Sequence, residues 1–426
     1  MLTPDEQRVV DLVESRRDEV VALLQSLIRF DTTTGVGGDE AALQAFLAAR
    51  LRSVGAEVEV WEPDASAFAG HPMVPPGFTF SGRPQLLARL RGRGGGRTLA
   101  FNGHIDVVGT EPLEEWAHDP RAAVVDDGLV HGRGACDMKG GIASMVAAAE
   151  ALAQAGIELG GDLVVATGTD EESTGAGGVA LARVLEADGV IVTEPTSLDV
   201  ATACRGSLLP TITVEGRGAH AGLPPRSIDE GGVNAIEKTA IVLDAIESLR
   251  ASWSRRAPHP RLSAPDCVPT MIAGGEWVVS YPARCRLDCH IEYLPEQADA
   301  DGWGSAVERE FVDWIQAAAA ADPWLTAHPP TVGWLVGGVP PAEVADDDPV
   351  VTELVGAARA VGTRGEIVGF DNWHDGATFT VEAGIPAIAF GPGDLYLAHT
   401  TSECVPVDDL VRCAQALAVA AMRFCR

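Results

Sequence analysis

The sequence predicts an α/β protein with a mostly parallel, doubly wound main domain and an inserted α+β domain. Apolar, strand-like segments alternate with helical ones through residues 98–195, which is typical of a parallel sheet. The pattern changes near Arg205, where segments of alternating polar and apolar residues take over. A chain of 426 residues is also too long for one ordinary core. We therefore expect a main domain at residues 1–205 and 337–426 and an inserted domain at 206–336.

The main domain is predicted to begin with helices. Apolar residues recur at helical spacing through residues 4–30, with Thr3 as N-cap and Pro4 in the first turn. A helix, a strand, a loop, a strand and a turn are expected next, at residues 39–53, 57–61, 63–84, 86–90 and 91–97. The glycine-rich turn lacks the following helix and the Lys-Ser pair of a P-loop, so we interpret it as a simple connection.

Buried strands and helices alternate in the next part of the chain. Strands are predicted at residues 98–108, 162–172 and 189–195, and helices at 140–156 and 177–187. Each of these strands ends in His or carboxylate residues. In open α/β sheets, sites form at the carboxyl ends of the strands.

The inserted domain is predicted from strands that alternate in polarity and from helices between them. Its segments are a strand at 211–220, a helix at 234–250, a strand at 285–294, a helix at 306–321 and a strand at 330–337. Antiparallel strands with helices on one face fit this order. The chain then returns to α/β structure, with a helix, a strand and a closing helix at 346–362, 383–393 and 407–425.

Composition limits the partners and the compartment. The formal charge of −30 at pH 7 argues against nucleic acid and anionic membranes, which are polyanions. The eight cysteines form no CxxC pair, and the first residues show no secretion signal, so we expect free thiols in a reducing compartment. No run of about 18 apolar residues occurs. The sequence therefore predicts a soluble cytoplasmic protein.

The candidate chemistry is concentrated in five short segments. They are FNGHIDVV (101–108), GRGACDMKGG (132–141), TGTDEES (167–173), VTEPTS (192–197) and AHTTSE (398–403). A metal-ligating imidazole usually donates its second N–H to a carboxylate, and Asp106 points the same way as His104 along a strand. Asp137, in a glycine-flanked turn, can bridge two cations with its two oxygens.

The adjacent carboxylates Glu171 and Glu172 repel each other unless a cation lies near them. Because neighbouring residues of an extended segment point opposite ways, one can bind metal while the other acts as general base. Glu194 and His399 complete a set that suits zinc, with cobalt or manganese as alternatives. A divalent cation lowers the pKa of bound water to about 7, which makes that water a nucleophile at neutral pH.

Each of these residues alone has a simpler explanation. A single His at a strand end is usually structural, Asp137 could cap the helix that follows it, and Glu171 with Glu172 could be a solvated acidic turn. The recurrence of acid or His at several strand ends favours the metal site over these local explanations.

As a set, these motifs resemble the dinuclear zinc metallopeptidase and deacylase family of acetylornithine deacetylase, succinyl-diaminopimelate desuccinylase and the glutamate carboxypeptidases. The resemblance spans about residues 5–425. The segments that carry it are GHIDVV, GRGACDMKGG, TDEES, TEPT, GRGAHAGLPP and FGPG with AHTTSE. The carbamoyl-amide hydrolases of the same superfamily resemble the chain less, because their second motif usually lacks the DMKGG pattern.

The resemblance implies a role for each matching residue. Two zinc ions would be held by five residues, with Asp137 as the bridge: His104, Asp137, Glu172, Glu194 and His399. Glu171 would be the general base, and Asp106 would orient His104. His220 would stabilise the oxyanion in the site of a partner subunit, which implies a homodimer through an inserted lid domain. Lys139 and Asp375 are expected to serve as a supporting salt bridge or helix cap.

The implied enzyme is a metal-dependent hydrolase of linear amide bonds that removes an acetyl, formyl or succinyl group from a small amine or amino acid. The alternatives are a dipeptidase or carboxypeptidase-like exopeptidase and an N-formyl-aminopyrimidine deformylase. A remote third alternative is a non-catalytic binding protein on this fold.

One position departs from the family in a way that bears on substrate. Many members bind the substrate carboxylate with an Arg ten residues after a Pro, and here Pro282 leads to Glu292. An anion at this position would favour a cationic amine, or a substrate without a carboxylate there, unless Arg284 or Arg286 substitutes for the missing Arg. Further candidates for substrate contact are Asn234 and Gly391.

Overall fold

The computed structural model describes residues 1–224 and 231–426, which form two compact units. Unit 1 comprises Met1–Cys204, Ala342–Phe370 and His374–Arg426. Unit 2 comprises Arg205–Pro341 and Asp371–Trp373. The last residue of the predicted segment GRGAHAGLPP, Pro225, lies outside the described residues.

The described residues contain eleven α-helices. They are α1 (Pro4–Ser15), α2 (Arg17–Arg29), α3 (Glu40–Ser53), α4 (Lys139–Gln154), α5 (Ala176–Ala182), α6 (Ala235–Trp253), α7 (Ser305–Ala319), α8 (Pro323–Ala327), α9 (Pro349–Ala360), α10 (Gly376–Glu382) and α11 (Val407–Phe424). The strands of the first half are β1 (Glu57–Trp61), β2 (Gln85–Leu90), β3 (Leu99–His104), β4 (Val124–Asp126), β5 (Leu129–His131), β6 (Leu163–Gly168), β7 (Gly189–Val192) and β8 (Val200–Cys204). The remaining strands are β9 (Gly206–Leu208), β10 (Pro210–Glu215), β11 (Asp266–Gly274), β12 (Arg284–Tyr293), β13 (Thr331–Trp334), β14 (Ala342–Glu343), β15 (Ile367–Phe370), β16 (Ala387–Ala389) and β17 (Cys404–Pro406).

Unit 1 is built on a nine-stranded sheet with the order β1-β2-β6-β3-β7-β16-β8-β14, in which β15 also pairs with β8. Its four central strands, β6, β3, β7 and β16, are parallel. Antiparallel strands flank this centre on both sides. The predicted α/β class and mostly parallel central sheet are confirmed.

Both faces of the central sheet are buried, because successive residues of each strand enter different cores. In β3, Leu99 and Phe101 belong to a core that contains α4 and α11 residues, whereas Ala100 belongs to a core with Phe379 of α10. Such coverage explains why the central strands have nearly continuous apolar sequences.

The predicted helix at residues 4–30 is wrong in one respect, because it is two helices that meet at Arg16. Arg16 leaves helical geometry with φ −106° and ψ 18°, and its guanidinium pairs with Glu19 and Glu150. The N-cap is as predicted: Thr3 accepts a hydrogen bond from the Glu6 backbone N–H, and the Glu6 carboxylate accepts one from the Thr3 N–H.

Unit 2 contains a five-stranded antiparallel sheet of order β11-β12-β10-β13, with β9 paired to β12. Helices α6 and α7 contribute Leu249, Trp253 and Phe311 to its core. Strand β11 lies at the edge of the sheet. Among the residues that the structure describes, no helix is long and apolar enough to cross a membrane.

Candidate metal centre

Three neighbouring parallel strands bring the predicted ligands to one edge of the unit 1 sheet. Strand β3 lies between β6 and β7, and His104 is its last residue. Glu171 and Glu172 follow β6, and Glu194 follows β7. Because parallel strands end on the same side, all four side chains reach the same edge.

Asp137 lies between the two imidazoles that the sequence predicts as ligands. Its Oδ1 is 3.1 Å from Nε2 of His104, and its Oδ2 is 3.2 Å from Nε2 of His399. Nε2 of His399 is also 2.9 Å from Oε2 of Glu172. One carboxylate thus faces both imidazoles with separate oxygens, which is the arrangement of a bridging ligand.

Glu171 and Glu194 approach the same nitrogen without bonding to it. Oε2 of Glu171 lies 3.9 Å and Oε1 of Glu194 lies 3.7 Å from Nε2 of His104. Burial raises the pKa of both carboxylates well above the usual range, and neighbouring carboxylates raise it further. The site therefore concentrates more negative charge than its protein neighbours balance.

The two imidazoles respond to this negative charge. Burial lowers the pKa of His104, but Asp137 and the surrounding carboxylates outweigh that effect and leave it raised. Hydrogen bonds to Asp137 and Glu172 raise the pKa of His399 to about 10. Burial raises the pKa of Glu172 to about 7. Protons thus supply part of the positive charge that this cluster needs.

The donor set fits divalent cations. Oε1 of Glu172 is buried with no hydrogen-bond partner, although such atoms are nearly always paired in folded proteins. Ligand atoms of His104, Asp137 and Glu172 all lie within 4.8 Å of one another. Imidazole nitrogens with carboxylate oxygens are the donors that zinc and similar metals bind.

Asp106 positions both His104 and the Glu171–Glu172 pair, and the sequence indicated only the first of these roles. Nδ1 of His104 is 2.9 Å from the carbonyl oxygen of Asp106, whereas the Asp106 carboxylate is 3.7 Å away. That carboxylate instead accepts the backbone N–H groups of Glu171 and Glu172, at 3.3 Å and 3.2 Å. Asp106 thus fixes the ring of His104 by its main chain and the two glutamates by its side chain.

Several supporting residues were missed by the sequence analysis. Arg83 binds Glu40 and Asp170, and so anchors the turn that carries Glu171. Arg133 and Glu403 form a buried ion pair behind Asp137. Arg133 lies in the motif GRGACDMKGG and Glu403 in the motif AHTTSE. The only sign in the sequence that they support the site is that each is a charged residue within a candidate motif.

Lys139 has one of the two roles expected of it, that of a helix cap, whereas Asp375 makes no capping bond with its side chain. Nζ of Lys139 donates to the carbonyl oxygens of Leu27 and Phe30, at the end of α2, and burial lowers its pKa to about 7. Asp375 lies at the N-cap position of α10 without a side-chain capping bond, and both its oxygens are buried and unpaired. Lys139 therefore caps the end of a helix distant in sequence rather than forming a salt bridge.

The other candidates each have a local structural contact. In unit 2, His220 is exposed and its Nδ1 accepts the Gly222 N–H, while the Asn234 side chain caps α6. Gly391 packs so closely that an added Cβ would lie 2.4 Å from the carbonyl oxygen of Glu194. These contacts neither support nor contradict the predicted oxyanion role of His220 or the predicted substrate contacts of Asn234 and Gly391.

Glu292 is already paired within unit 2. Its Oε2 lies 2.9 Å from Nε of Arg205, and its Oε1 lies 3.2 Å from Nε2 of His290. Burial raises the pKa of Glu292 to about 7. The two arginines considered as substitutes have other partners, since Arg284 binds Glu215 and Arg286 binds Asp288.

Known proteins resemble this chain along most of its length. An N-formyl-4-amino-5-aminomethyl-2-methylpyrimidine deformylase of Bacillus subtilis is 27% identical over 419 residues, which cover 94% of this chain and 93% of that protein. An acetylornithine deacetylase of Myxococcus xanthus is 32% identical over 348 residues, covering 80% of this chain and 84% of that protein. A solved structure, the YxeP protein of Bacillus subtilis, is described as a dinuclear metal-binding peptidase. It aligns with a TM-score of 0.63 at 15% identity, over 96% of this chain and 98% of that one, which supports the fold.

The family comparison agrees with the motifs and with the cluster at the sheet edge. Residues 100–423 match the model of peptidase family M20/M25/M40, a range that contains all of the predicted metal ligands. The predicted family and enzyme class are therefore confirmed. The chain belongs to peptidase family M20/M25/M40 and is a hydrolase of amide bonds.

Proposed function

We propose that this hydrolase removes an N-acyl group from a small amine or amino acid at a dinuclear metal centre in unit 1. The observation that carries the proposal is the position of the Asp137 carboxylate between the imidazoles of His104 and His399. Three further carboxylates, those of Glu171, Glu172 and Glu194, converge on the same two rings.

His104, Asp137 and Glu194 would hold one zinc ion, and Asp137, Glu172 and His399 would hold the other. Cobalt or manganese can replace zinc with these donors. When bound, divalent cations supply Lewis acidity, which polarises an amide carbonyl group and makes water a stronger acid.

Glu171 is the general base of the proposed reaction. It takes a proton from the attacking water while the water oxygen bonds to the acyl carbon. The carbon–nitrogen bond then breaks, and Glu171 returns the proton to the leaving amine. The backbone N–H of Glu171 is bound to the carboxylate of Asp106, which supports a fixed position for the base.

His220 is proposed to stabilise the oxyanion in the site of a second subunit, within a homodimer formed through unit 2. The edge strand β11 supports such a contact, because exposed edge strands readily pair with another chain. Met271 and Ile272 of β11 and the nearby Trp277 and Val278 are exposed apolar residues, with Val278 92% exposed. Exposed apolar patches of this kind often mark protein interfaces.

A formyl group is a specific candidate for the acyl group. The N-formyl-aminopyrimidine deformylase covers 94% of this chain, whereas the acetylornithine deacetylase covers 80%. We propose that Glu292, with Arg205 beside it, replaces the carboxylate-binding Arg and favours an amine that carries positive charge. Asn234 and Gly391 remain candidates for substrate contact.

We propose that the enzyme works in the cytoplasm. None of the eight cysteines, all of which lie among the described residues, forms a disulfide, and all eight are buried. Structural disulfides are rare in the reducing cytoplasm, so unpaired thiols agree with this location.

Two measurements test the proposed function. Metal content of protein purified without chelator should be about two zinc equivalents per chain. Amine release should then be measured with N-formyl, N-acetyl and N-succinyl compounds and with dipeptides. Protein that retains no metal after incubation with zinc or cobalt would exclude the centre, and cleavage of dipeptides alone would favour an exopeptidase.

A further inference from the structure

Two buried charged residues lie directly behind Asp137. Arg133 is 4% exposed and Glu403 is 1% exposed, and Nη1 of Arg133 is 2.5 Å from Oε2 of Glu403. The other carboxylate oxygen of Glu403 accepts the backbone N–H groups of Cys136 and Asp137, at 3.1 Å and 3.2 Å. Glu403 therefore holds the main chain of the residue whose side chain faces both imidazoles.

We propose that the Arg133–Glu403 ion pair positions Asp137 for cation binding and so sets the affinity of the metal centre. This inference rests on the proposed metal centre. Arg133 and Glu403 are positioning residues, since Arg133 binds Glu403 and Glu403 acts through the backbone of Asp137.

The first support is the position of Glu403 in the chain. It belongs to the same short segment as His399, which carries one of the two imidazoles. Nε2 of His399 contacts the Asp137 carboxylate, while Glu403 contacts the Asp137 backbone. The segment 398–403 thus contacts both the side chain and the backbone of Asp137. The distance between the Asp137 carboxylate and the His399 ring therefore depends on Glu403.

The second support is the fixed position of Arg133. Its Nε donates to the carbonyl oxygen of Gly109 at 3.1 Å, and its guanidinium lies 5.1 Å from the centre of the Trp116 ring. Gly109 lies shortly after Asp106 in the chain, so Arg133 connects Glu403 to the segment that leaves β3. Such outer partners orient metal ligands and are known to tune metal affinity.

The third support is the charge of the pair. A buried carboxylate beside Asp137 is strongly disfavoured as an anion unless a cation pairs with it. Arg133 supplies that charge, so Glu403 can remain an acceptor for two N–H groups. A neutral amide at this position would keep one carbonyl acceptor but would leave the Arg133 charge buried without its partner.

The test compares zinc affinity in Glu403→Gln with that in a matched control, Glu6→Gln. Glu6 is also buried and also binds an Arg, with 2.8 Å between its Oε1 and Nε of Arg423, but it lies in α1. Zinc affinity is measured on the full-length protein with a chelator buffer that fixes free zinc. The melting temperature of the metal-free protein is recorded for each variant.

Glu403→Gln is expected to weaken zinc binding about 10-fold to 100-fold, the usual effect of losing an outer partner of a metal ligand. Glu6→Gln is expected to lower the melting temperature while leaving zinc affinity unchanged. If Glu403→Gln fails to fold, Glu403→Asp, which keeps the charge but shortens the side chain, is expected to weaken zinc binding in the same direction.

Two results would overturn the inference alone: wild-type affinity in a folded Glu403 variant, or an equal loss in Glu6→Gln. In both, the wild-type protein still binds about two zinc ions, as a two-metal site should. Wild-type protein that binds no cation would overturn the inference together with the proposed metal centre, so the two failures are distinguishable.

Discussion

Nε2 of His399 lies 2.9 Å from Oε2 of Glu172, while the other oxygen of the same carboxylate is buried with no partner. The first contact satisfies one oxygen, and the second oxygen is left as an unused acceptor. An unpaired buried acceptor is costly, so a cation at this carboxylate would stabilise the folded protein as well as serve the reaction.

Replacement of this carboxylate should therefore lower metal content. We expect Glu172→Gln to retain about one zinc equivalent instead of the two of a complete two-metal site, because an amide is a poorer ligand than a carboxylate. Plasma mass spectrometry of dialysed protein measures this. Glu158→Gln, at an exposed position of unit 1, is the control and should keep wild-type content. Equal zinc in both variants would contradict the assignment of Glu172.

Loss of the general base should separate catalysis from metal binding. Glu171→Gln is expected to reduce kcat by about 10²-fold to 10⁴-fold, the typical contribution of a positioned base. Its zinc content should stay near that of the wild-type protein, because Glu171 is not among the proposed ligands. Amine release and metal content are measured on the same preparation. A variant that loses zinc in proportion to activity would show that Glu171 is a ligand instead.

The fold was predictable where sequence periodicity and burial agree. Helix α4 begins at Lys139, one residue before its predicted start, and the three strands that precede the predicted ligands are present. Strands β8 and β15 were not predicted, because short apolar segments in a buried sheet carry no alternation that distinguishes them from loops. At the break between α1 and α2, Arg16 contacts Glu150, a residue distant in sequence that local periodicity cannot reveal.

The candidate ligands were predictable because each follows a buried strand or lies in a recognisable motif. The contacts that support these ligands were not predictable from the sequence. The Arg133–Glu403 pair joins residues 270 positions apart, and the Asp106 side chain bonds to a turn 65 positions away. Such pairs depend on how strands are ordered in the sheet, which a single sequence does not specify.

His374 should make the stability of unit 1 depend on pH. Burial lowers its pKa from 6.5 to about 4, and its Nδ1 accepts the Gly376 N–H. The unfolded state therefore binds more protons between these values, so this group's contribution to stability is present above pH 6.5 and is lost as the pH falls to 4. The loss amounts to about 3 kcal/mol.

Urea unfolding at several pH values, compared between wild type and His374→Asn, checks this expectation. Asn keeps an acceptor for the Gly376 N–H but does not titrate, so the difference in unfolding free energy between the two proteins should shrink as the pH falls from 6.5 to 4. A constant difference would show that His374 has an ordinary pKa.

Glu292 should affect the choice of substrate rather than the chemistry. Glu292→Gln removes the anion beside Arg205, so we expect KM for a cationic N-acyl amine to rise about ten-fold relative to a neutral analogue, which is about 1.4 kcal/mol of lost binding. The kcat should change little. Glu247→Gln, at an exposed position of the same unit, is the control. An unchanged substrate ranking would exclude Glu292 from recognition.

Co-expression of two inactive variants can test whether His220 acts in the site of the partner subunit. In a two-fold dimer, a His220→Ala subunit retains Glu171 and receives His220 from a Glu171→Gln partner, so one of the two sites is complete. Co-expression of the two variants should restore up to about a quarter of wild-type activity, because random pairing of subunits makes half of the dimers mixed. Each variant expressed alone should stay inactive, and Met271→Asp on β11, by weakening the dimer, should abolish the recovery. If His220 acted within its own subunit, a mixed dimer would contain no complete site and no activity would return.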